Sequence, residues 1–239
     1  MSLIERVWNV YTQQTDMILD ALWQHIYIAF SAIIIASIIC IPLGIYLTRH
    51  QKAGSIVIGI VSVIYTIPSL AMFGLLLPIL GIGVKPALVA LTVYAMLPIL
   101  RNVYTGILGV DKNIIDAGQG MGMTSMQVLF SVELPLSLPV IMAGLRTAAT
   151  MAVATTTISA FIGAGGLGSI IYRGVNLMRD EYTIAGAIPT ALLALVVDRL
   201  LLGAEKLVSR KTYRKSKNSK NSIAKQIFPN TERKAAIGK

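Results

Sequence analysis

Charged residues are scarce in this sequence. Asp, Glu, Lys and Arg account for 13% of its 239 residues, and hydrophobic residues account for 55%, which gives a mean hydropathy of +0.71. A soluble globular domain carries charge on roughly 25% of its residues. The shortage of charge therefore excludes an ordinary soluble domain and predicts an all-α integral membrane protein that crosses the bilayer several times.

Groups that carry catalysis or hold cofactors are also rare. Cys40 is the single cysteine, so no intrachain disulfide can form. The two histidines, His25 and His50, are isolated from other metal-ligand residues, which predicts no metal site. The chain has no G-x-x-x-x-G-K-[ST] segment to cradle phosphates, so any ATP must be hydrolysed by another protein. We expect neither an enzyme nor a bound cofactor.

The net charge of +10 belongs to one end of the chain. From Glu205 to Lys239 there are eleven Lys or Arg against two Glu, while the rest of the sequence is nearly neutral. A basic tail alone does not predict nucleic-acid binding. It is typical of a cytoplasmic flank, so residues 206–239 are expected to form a disordered cytoplasmic tail beside the membrane lipids.

Five long apolar runs predict five transmembrane helices within residues 24–205, because a span needs roughly 20 apolar residues. The basic loop around Arg49 and Lys52 places the end of the first span in the cytoplasm, so the chain starts outside and ends inside. Residues 1–23 carry scattered charges and aromatic rings, and we expect them to lie at the external membrane surface. The predicted spans are Ile26–Leu47, Ser55–Leu80, Pro86–Val110, Leu136–Gly166 and Tyr182–Ala204.

A polar interval, residues 111–133, separates the third and fourth spans and is called the insert below. The same charge rule places it in the cytoplasm. Its sequence predicts two short helices, because Gly120–Gly122 interrupts a helical pattern. Asp111 is expected to cap the first helix, and Thr124 with Gln127 has the capping-box spacing that begins the second.

The second predicted span is interrupted at Thr66–Ser69, where Pro68 breaks the helical hydrogen-bond ladder. Within a membrane, the freed carbonyl groups must be satisfied by neighbouring protein groups. The bend therefore serves either helix packing or the wall of a transport path.

The fourth predicted span is rich in Ala, Thr and Ser from Thr147 onward, and it ends in the glycine-rich run Gly163–Gly168. Small residues let helix backbones approach closely, so we expect this span to be the most buried. The glycine-rich run is either a simple helix end or an outer gate where bare backbone approaches a partner.

The insert and the residues after it contain a spaced motif, which is Asp116-Ala117-Gly118, Gly122, Val132 and Leu134-Pro135. The pattern resembles the signature of ABC importer permeases: Glu-Ala-Ala, three residues, Gly, nine residues, Ile, one residue, Leu-Pro. Asp116 keeps the acidic charge on a shorter side chain, and Gly118 replaces the second alanine, which is expected to weaken the first short helix. Leu134-Pro135 is expected to end the second helix and turn the chain back to the membrane.

Further segments resemble the permeases of osmoprotectant importers, which carry glycine betaine, carnitine, choline and similar solutes. The resemblance covers about residues 20–205. The glycine-rich run also resembles methionine-type permeases, so a permease for methionine or another small solute is the alternative within this family. The resemblance implies half of a type I importer, with a second permease subunit, a cytoplasmic ABC ATPase docked on the insert and an external substrate-binding protein. The segments are Tyr65–Leu70, Gly81–Gly83, Leu97–Asn102 and Phe161–Gly168.

Two groups of candidate residues follow from the resemblance. Small residues in the motif would let the insert enter a groove of the ATPase, and methionines offer apolar contact that adapts to a partner. The ATPase-coupling candidates are Asp116, Ala117, Gly118, Gly122, Met123, Leu134 and Pro135. The candidates for the translocation path and gate are Tyr65, Pro68, Ser69, Pro98, Thr156, Gly163, Gly165 and Gly166.

Two other classes of membrane protein remain as alternatives. An autonomous channel or ion-coupled carrier would need a membrane-buried acid or a broken-helix ion site. The uncharged span cores do not supply one, since Asp198 is expected near a membrane face. A non-transporting membrane scaffold is the third class, and co-purification with a P-loop ATPase separates all three.

Overall fold

The computed structural model describes residues 2–227, with side chains described as far as residue 209. Over that part of the chain it consists of helices and short connections. A π-helical turn, Leu129–Glu133, precedes α8, and a 3-10 turn, Ala160–Ile162, follows it. The α-helices are α1 (Leu3–Gln13), α2 (Thr15–Arg49), α3 (Gln51–Tyr65), α4 (Ser69–Leu80), α5 (Val84–Leu108), α6 (Lys112–Gly120), α7 (Ser125–Val128), α8 (Leu134–Ser159), α9 (Leu167–Asn176) and α10 (Asp180–Ile227).

Four stretches of helix are long and apolar enough to cross a membrane. They are α2, α5, the stretch Ser125–Ile162 that contains α8, and the Asp180–Ser209 part of α10. The pair α3 and α4 passes the same test together but bends by 93° at its break, so the number of spans is five when this pair counts as one span. The prediction of an all-α membrane protein with about five spans is confirmed. The second span differs from a kinked helix, because the break separates two helices that lie nearly at right angles.

The first spanning helix begins earlier than the apolar run predicts. α2 starts at Thr15 rather than near Ile26, and it has no boundary at residue 23. Its first turns are amphipathic, with Ile18 and Ala21 buried and Asp16 exposed. Scattered charges in this stretch therefore mark a solvent-facing stripe of the helix.

The last helix extends further than predicted. α10 continues to Ile227, so the beginning of the tail that was expected to be disordered is helical. Residues 228–239 of that predicted tail lie outside the described residues. A basic, polar composition does not by itself indicate disorder, because Lys, Arg and Glu are good helix formers.

α5 lies at the centre of the molecule, between α2 on one side and α8 on the other. Half of its most apolar stretch is buried, compared with a third of the stretch that contains α8. The expectation that the fourth span is the most buried is therefore wrong. The small residues of α8 do pack against neighbours, but one side of the helix, with Thr147 and Met151, stays exposed in the single chain.

Glycines set the spacing between the central helices. A Cβ added to Gly144 of α8 would come within 2.5 Å of the Asn102 Cβ and 2.8 Å of the Pro98 carbonyl oxygen, both on α5. A Cβ added to Gly44 of α2 would likewise lie 2.6 Å from a methyl carbon of Val103 on α5. At both glycines the helix backbone lies directly against the neighbouring helix, which is how helices associate where the surrounding lipid is as apolar as they are.

α1 and α9 pack against the beginning of α10. The Tyr11 hydroxyl donates a hydrogen bond to the Ala185 carbonyl oxygen at 3.1 Å, and burial raises the pKa of Tyr11. Arg6 of α1 forms an ion pair with the buried carboxylate of Glu181 at 3.5 Å. One side of the predicted membrane-surface segment is thus fixed to the helical bundle.

We predict that Gly144→Ala destabilises the protein by about 1–3 kcal/mol, because α5 and α8 must separate to admit the methyl group. Thermal unfolding in detergent measures the effect. The matched control is Gly59→Ala in α3, where an added Cβ meets nothing within 4 Å. Equal melting temperatures for Gly144→Ala and the control would contradict this packing.

Candidate coupling insert and gate loop

The insert folds as two short capped helices. The Asp111 carboxylate caps α6 by accepting a hydrogen bond from the Asn113 amide at 2.9 Å. Thr124 caps α7: its hydroxyl oxygen accepts from the Gln127 amide at 3.3 Å, and the Gln127 side-chain oxygen accepts from the Thr124 amide at 2.8 Å. Both predicted caps are confirmed, and they satisfy amide groups that a helix start leaves without partners.

The turn between α6 and α7 depends on Gly122. Its φ of +85° lies in the left-handed region, which a side chain disfavours. Its amide donates to the Gln119 carbonyl oxygen at 2.9 Å, and the next amide, that of Met123, donates to the Gly118 carbonyl oxygen at 3.2 Å. These bonds close the end of α6 and reverse the chain.

Gly118 faces the inside of the insert. It is buried, and an added Cβ would lie 3.3 Å from the Met123 Sδ and 3.7 Å from a Val128 methyl group. The glycine therefore lets α6 approach α7 closely. The expectation that Gly118 enters a partner's groove does not fit this inward orientation, and Met123 is likewise half-buried against the insert itself.

The outer surface of the insert is mostly polar, but it also exposes several large apolar side chains. Asp116, Ala117 and Gly122 are exposed on it. Four large apolar side chains are exposed beside them, which makes an unusual concentration for a short polar segment. They are Ile114, Met121, Met126 and Phe130.

The expectation that Leu134-Pro135 ends the second helix is wrong. α7 passes through the π turn into α8, and Ser125–Ile162 is one continuous helical stretch. Pro135 closely follows the π turn, and the altered hydrogen-bond spacing of that turn accommodates a residue without an amide hydrogen. The helix therefore continues through Leu134 and Pro135, because the wider π turn changes the hydrogen-bond spacing just before them. Both residues are half-buried.

An ion pair joins the insert to the end of α2. The Arg49 guanidinium donates to both carboxylate oxygens of Glu133, at 3.2 and 2.5 Å. Glu133 is 3% exposed, and a buried carboxylate requires such a partner. Sequence reasoning missed this pair, although an acid next to an apolar run is a signal that a basic partner must exist.

The glycine loop, defined as residues 163–166, lies against α2. Gly163, Gly165 and Gly166 have φ values of +73°, +87° and +73°. The Gln24 side chain brackets the loop: its Nε2 donates to the Ala164 carbonyl oxygen, and its Oε1 accepts from the Gly166 amide, both at 3.1 Å. A Cβ on Gly165 would lie 2.3 Å from that Oε1, so a side chain there would displace Gln24, and the positive φ also favours glycine.

His25 of α2 also lies against the glycine loop. Its ring is fully buried, and Nε2 donates to the Val153 carbonyl oxygen of α8 at 2.9 Å. A Cβ on Gly166 would lie 3.1 Å from its Nδ1. On the other side of the loop, the Gly83 amide donates to the Ile162 carbonyl oxygen at 2.9 Å. The loop is thus held between α2, α8 and the turn before α5.

The bend between α3 and α4 is held by a tyrosine of α5. The Tyr94 hydroxyl donates to the Ile67 carbonyl oxygen, which meets the expectation that a neighbour satisfies the backbone at the break. Tyr65 packs edge-on against Tyr94, with ring centroids 5.8 Å apart. The Tyr65 hydroxyl donates to the Met151 Sδ of α8 at 3.2 Å.

The remaining path candidates do not join these residues in one cavity. Pro68 is exposed immediately before α4, and Ser69 begins that helix. Pro98 is half-buried where α5 meets α8, and the hydroxyl of the fully buried Thr156 donates to the Ala152 carbonyl oxygen at 2.7 Å. The path candidates therefore fall into separate places: the bend, the α5–α8 contact, the buried side of α8 and the glycine loop.

A second charged cluster joins α8 to α10. Arg146 Nε donates to Asp198 at 2.6 Å, and Arg146 Nη1 lies 3.5 Å from Glu205. An open cleft of about 360 Å³ lies beside this cluster. Asp198 does not pair with its neighbour Arg199, because adjacent residues diverge around a helix. Within the described residues, no group of three or more His, Cys, Asp or Glu is placed to hold a metal ion.

These features define a multi-pass helical membrane protein whose third and fourth spans are connected by a capped helical insert. Residues 40–210 match the family described as the binding-protein-dependent transport system inner membrane component, and the chain belongs to this family. The carnitine transport permease protein OpuCB of Listeria monocytogenes is 48% identical over 195 residues, which are 82% of this chain and 89% of that protein. The glycine betaine/carnitine/choline transport system permease protein OpuCB of Bacillus subtilis is 46% identical over 188 residues, 79% of this chain and 87% of that protein.

The fold is also that of solved ABC importer permeases. A chain of the MetNI methionine ABC transporter, in an inward-facing conformation, superposes with a TM-score of 0.70 at 26% identity. The match covers 84% of this chain and 98% of that chain. The protein therefore has the fold of a type I ABC importer permease, with four or five membrane spans.

We predict that Gly122→Ala weakens the insert by about 1 kcal/mol, because alanine is strained at a positive φ. Amide hydrogen exchange of residues 112–128 should rise. Gly120→Ala is the matched control, since Gly120 ends α6 without a positive φ and an added Cβ meets nothing within 4 Å. Equal exchange in the two variants would contradict the assigned turn.

Proposed function

We propose that the chain is the permease subunit of an ABC importer for quaternary ammonium compatible solutes, namely glycine betaine, carnitine and choline. The observation that carries the proposal is the agreement between the two OpuCB relatives. They come from different organisms, are similar over most of their length, and are named for solutes of this single chemical class. The chain itself is non-catalytic, because it has no phosphate-cradling segment and depends on another protein for ATP hydrolysis.

The insert docks on a cytoplasmic ABC ATPase. Its exposed apolar side chains, Ile114, Met121, Met126 and Phe130, supply the contact area, and flexible methionines adapt to a partner surface. Asp116 offers a carboxylate to a basic group of the partner. Gly122 leaves space at the turn, and Gly118 and Met123 act indirectly by holding α6 against α7.

The orientation of the chain follows from its basic segments. The α2–α3 connection and the basic tail lie in the cytoplasm, so residues 1–23 lie on the external side, where the substrate-binding protein delivers solute. A second permease subunit, identical or homologous, completes the pore. The exposed side of α8, with Thr147 and Met151, is available for that contact, and membrane lipids cover the remaining apolar surface.

Transport proceeds by exchange between two packed arrangements of the helices. ATP binding closes the ATPases, the docked inserts move with them, and the helices rotate as rigid bodies. ATP supplies the energy because it binds the two states differently. The glycine loop, which brings bare backbone to the external ends of α2 and α8, forms the outer gate. The path is lined by the bend at Tyr65, Pro68 and Ser69, together with Pro98 and Thr156.

Uptake measurements test the solute class. In cells that depend on this importer, unlabelled carnitine and choline should compete with labelled glycine betaine, because one quaternary ammonium group is recognised in all three. Methionine should not compete. The methionine transporter that shares the fold makes methionine the specific alternative. Inhibition by methionine alone would refute the proposed class, and uptake without any ATPase would refute an ABC importer altogether.

Docking of the ATPase is tested by Gly122→Arg. The variant should insert into the membrane but reduce co-purification of the ATPase and solute uptake by about tenfold or more, since a bulky charge enters the docking surface. Ser55→Arg is the control, because it adds the same charge at an exposed position of α3 outside the insert. Normal uptake by Gly122→Arg would refute docking at this turn.

A further inference from the structure

α2 and α8 are fastened to each other near both ends. At one end, Arg49 holds the Glu133 carboxylate in the insert. Near the other, Gln24 holds the glycine loop that follows α8. Between these points, Ala29 and Ile33 of α2 pack against residues of α8 in a buried cluster.

The Arg49–Glu133 pair lies at a weak joint of the insert. The insert reaches α8 through the π turn, where the usual hydrogen-bond spacing changes, and Pro135 removes one more amide donor from the first turn of α8. A helix with such a joint bends there more readily than elsewhere. α8 alone therefore transmits a displacement of the insert poorly.

The geometry of the pair suits it to brace this joint. Two parallel hydrogen bonds fix the angle between a guanidinium and a carboxylate as well as their distance. Glu133 is nearly fully buried, so separation would leave a buried carboxylate without its partner. Arg49 is the last residue of α2, and the pair therefore connects the insert to this helix, which runs from Thr15 to Arg49 and contains Pro42.

We infer that Arg49 and Glu133 form a positioning pair that makes α2 move together with the insert and so carries its displacement to the glycine loop. Gln24 and Arg49 are separated along α2 by about 37 Å at 1.5 Å per residue, which spans the hydrocarbon core. The inference rests on the proposed function, because it requires an ATPase that moves the insert. It assigns these residues to energy transmission and not to contact with the ATPase or the solute.

The test measures solute transported per ATP hydrolysed. Arg49→Ala, Glu133→Ala and the double variant are reconstituted in liposomes with the ATPase and the binding protein. Each single variant should still co-purify with the ATPase and hydrolyse ATP, while transport per ATP falls about tenfold; the double variant should be no worse than either single variant. Arg101→Ala is the control, since it removes an exposed arginine that bonds to Ser62 of α3 and does not reach the insert.

A milder variant covers the case in which Arg49→Ala fails to assemble. Arg49→Lys keeps the charge but loses the two parallel bonds, so it should assemble and lower transport per ATP by a smaller factor. An unchanged ratio in any assembled Arg49 or Glu133 variant would overturn the inference, as would a double variant whose loss equals the product of the single losses. If the unaltered chain fails to co-purify with the ATPase, the proposed function fails instead.

Discussion

The need to satisfy backbone polar groups inside a membrane shapes the whole molecule. Helices meet this need internally, and irregular backbone is possible only where other protein groups supply partners. In the described part of the chain, the bend between α3 and α4 and the glycine loop are two such irregular places, and both have such partners. Tyr94 donates to the backbone at the bend between α3 and α4, and Gln24 brackets the glycine loop from α2.

The proposed path and the proposed gate fall at these two irregular places. A continuous helix presents side chains to a path, whereas a break or a glycine loop presents backbone and allows a close approach. A side chain on Gly165 would displace Gln24, and Gly168 has no space for one beside α8, where an added Cβ would lie 2.1 Å from the Thr157 carbonyl oxygen. Glycine is therefore favoured at both positions next to the proposed gate.

Local signals in the sequence predicted much of this structure. Long apolar runs predicted the spans, and the Asp111 and Thr124 caps predicted the two helices of the insert, because these features depend on a few neighbouring residues. Contacts between distant residues were not predictable in this way. The sequence spacing of 84 residues between Arg49 and Glu133 hides their pairing, and the inward orientation of Gly118 depends on how α6 folds back on α7.

Some errors came from judging a residue by type without its place in a helix. Pro135 resembled a helix stop, but just after the π turn it is accommodated. Asp16 and Asp20 were expected in a segment at the membrane surface that precedes the first span, but they occupy the exposed stripe of α2 itself. The small residues of α8 predicted burial correctly for one side of the helix, while the single chain leaves the other side open.

Contact between the insert and an ATPase is the central claim, and photo-cross-linking tests it most directly. Cys40 is fully buried and can be replaced by alanine, so one new cysteine carries the reactive label. The account predicts that a label at Met126→Cys attaches to the ATPase in a transporting complex, whereas a label at Thr12→Cys in α1 does not. An actively transporting complex with no ATPase adduct from Met126→Cys or Met121→Cys would contradict the account.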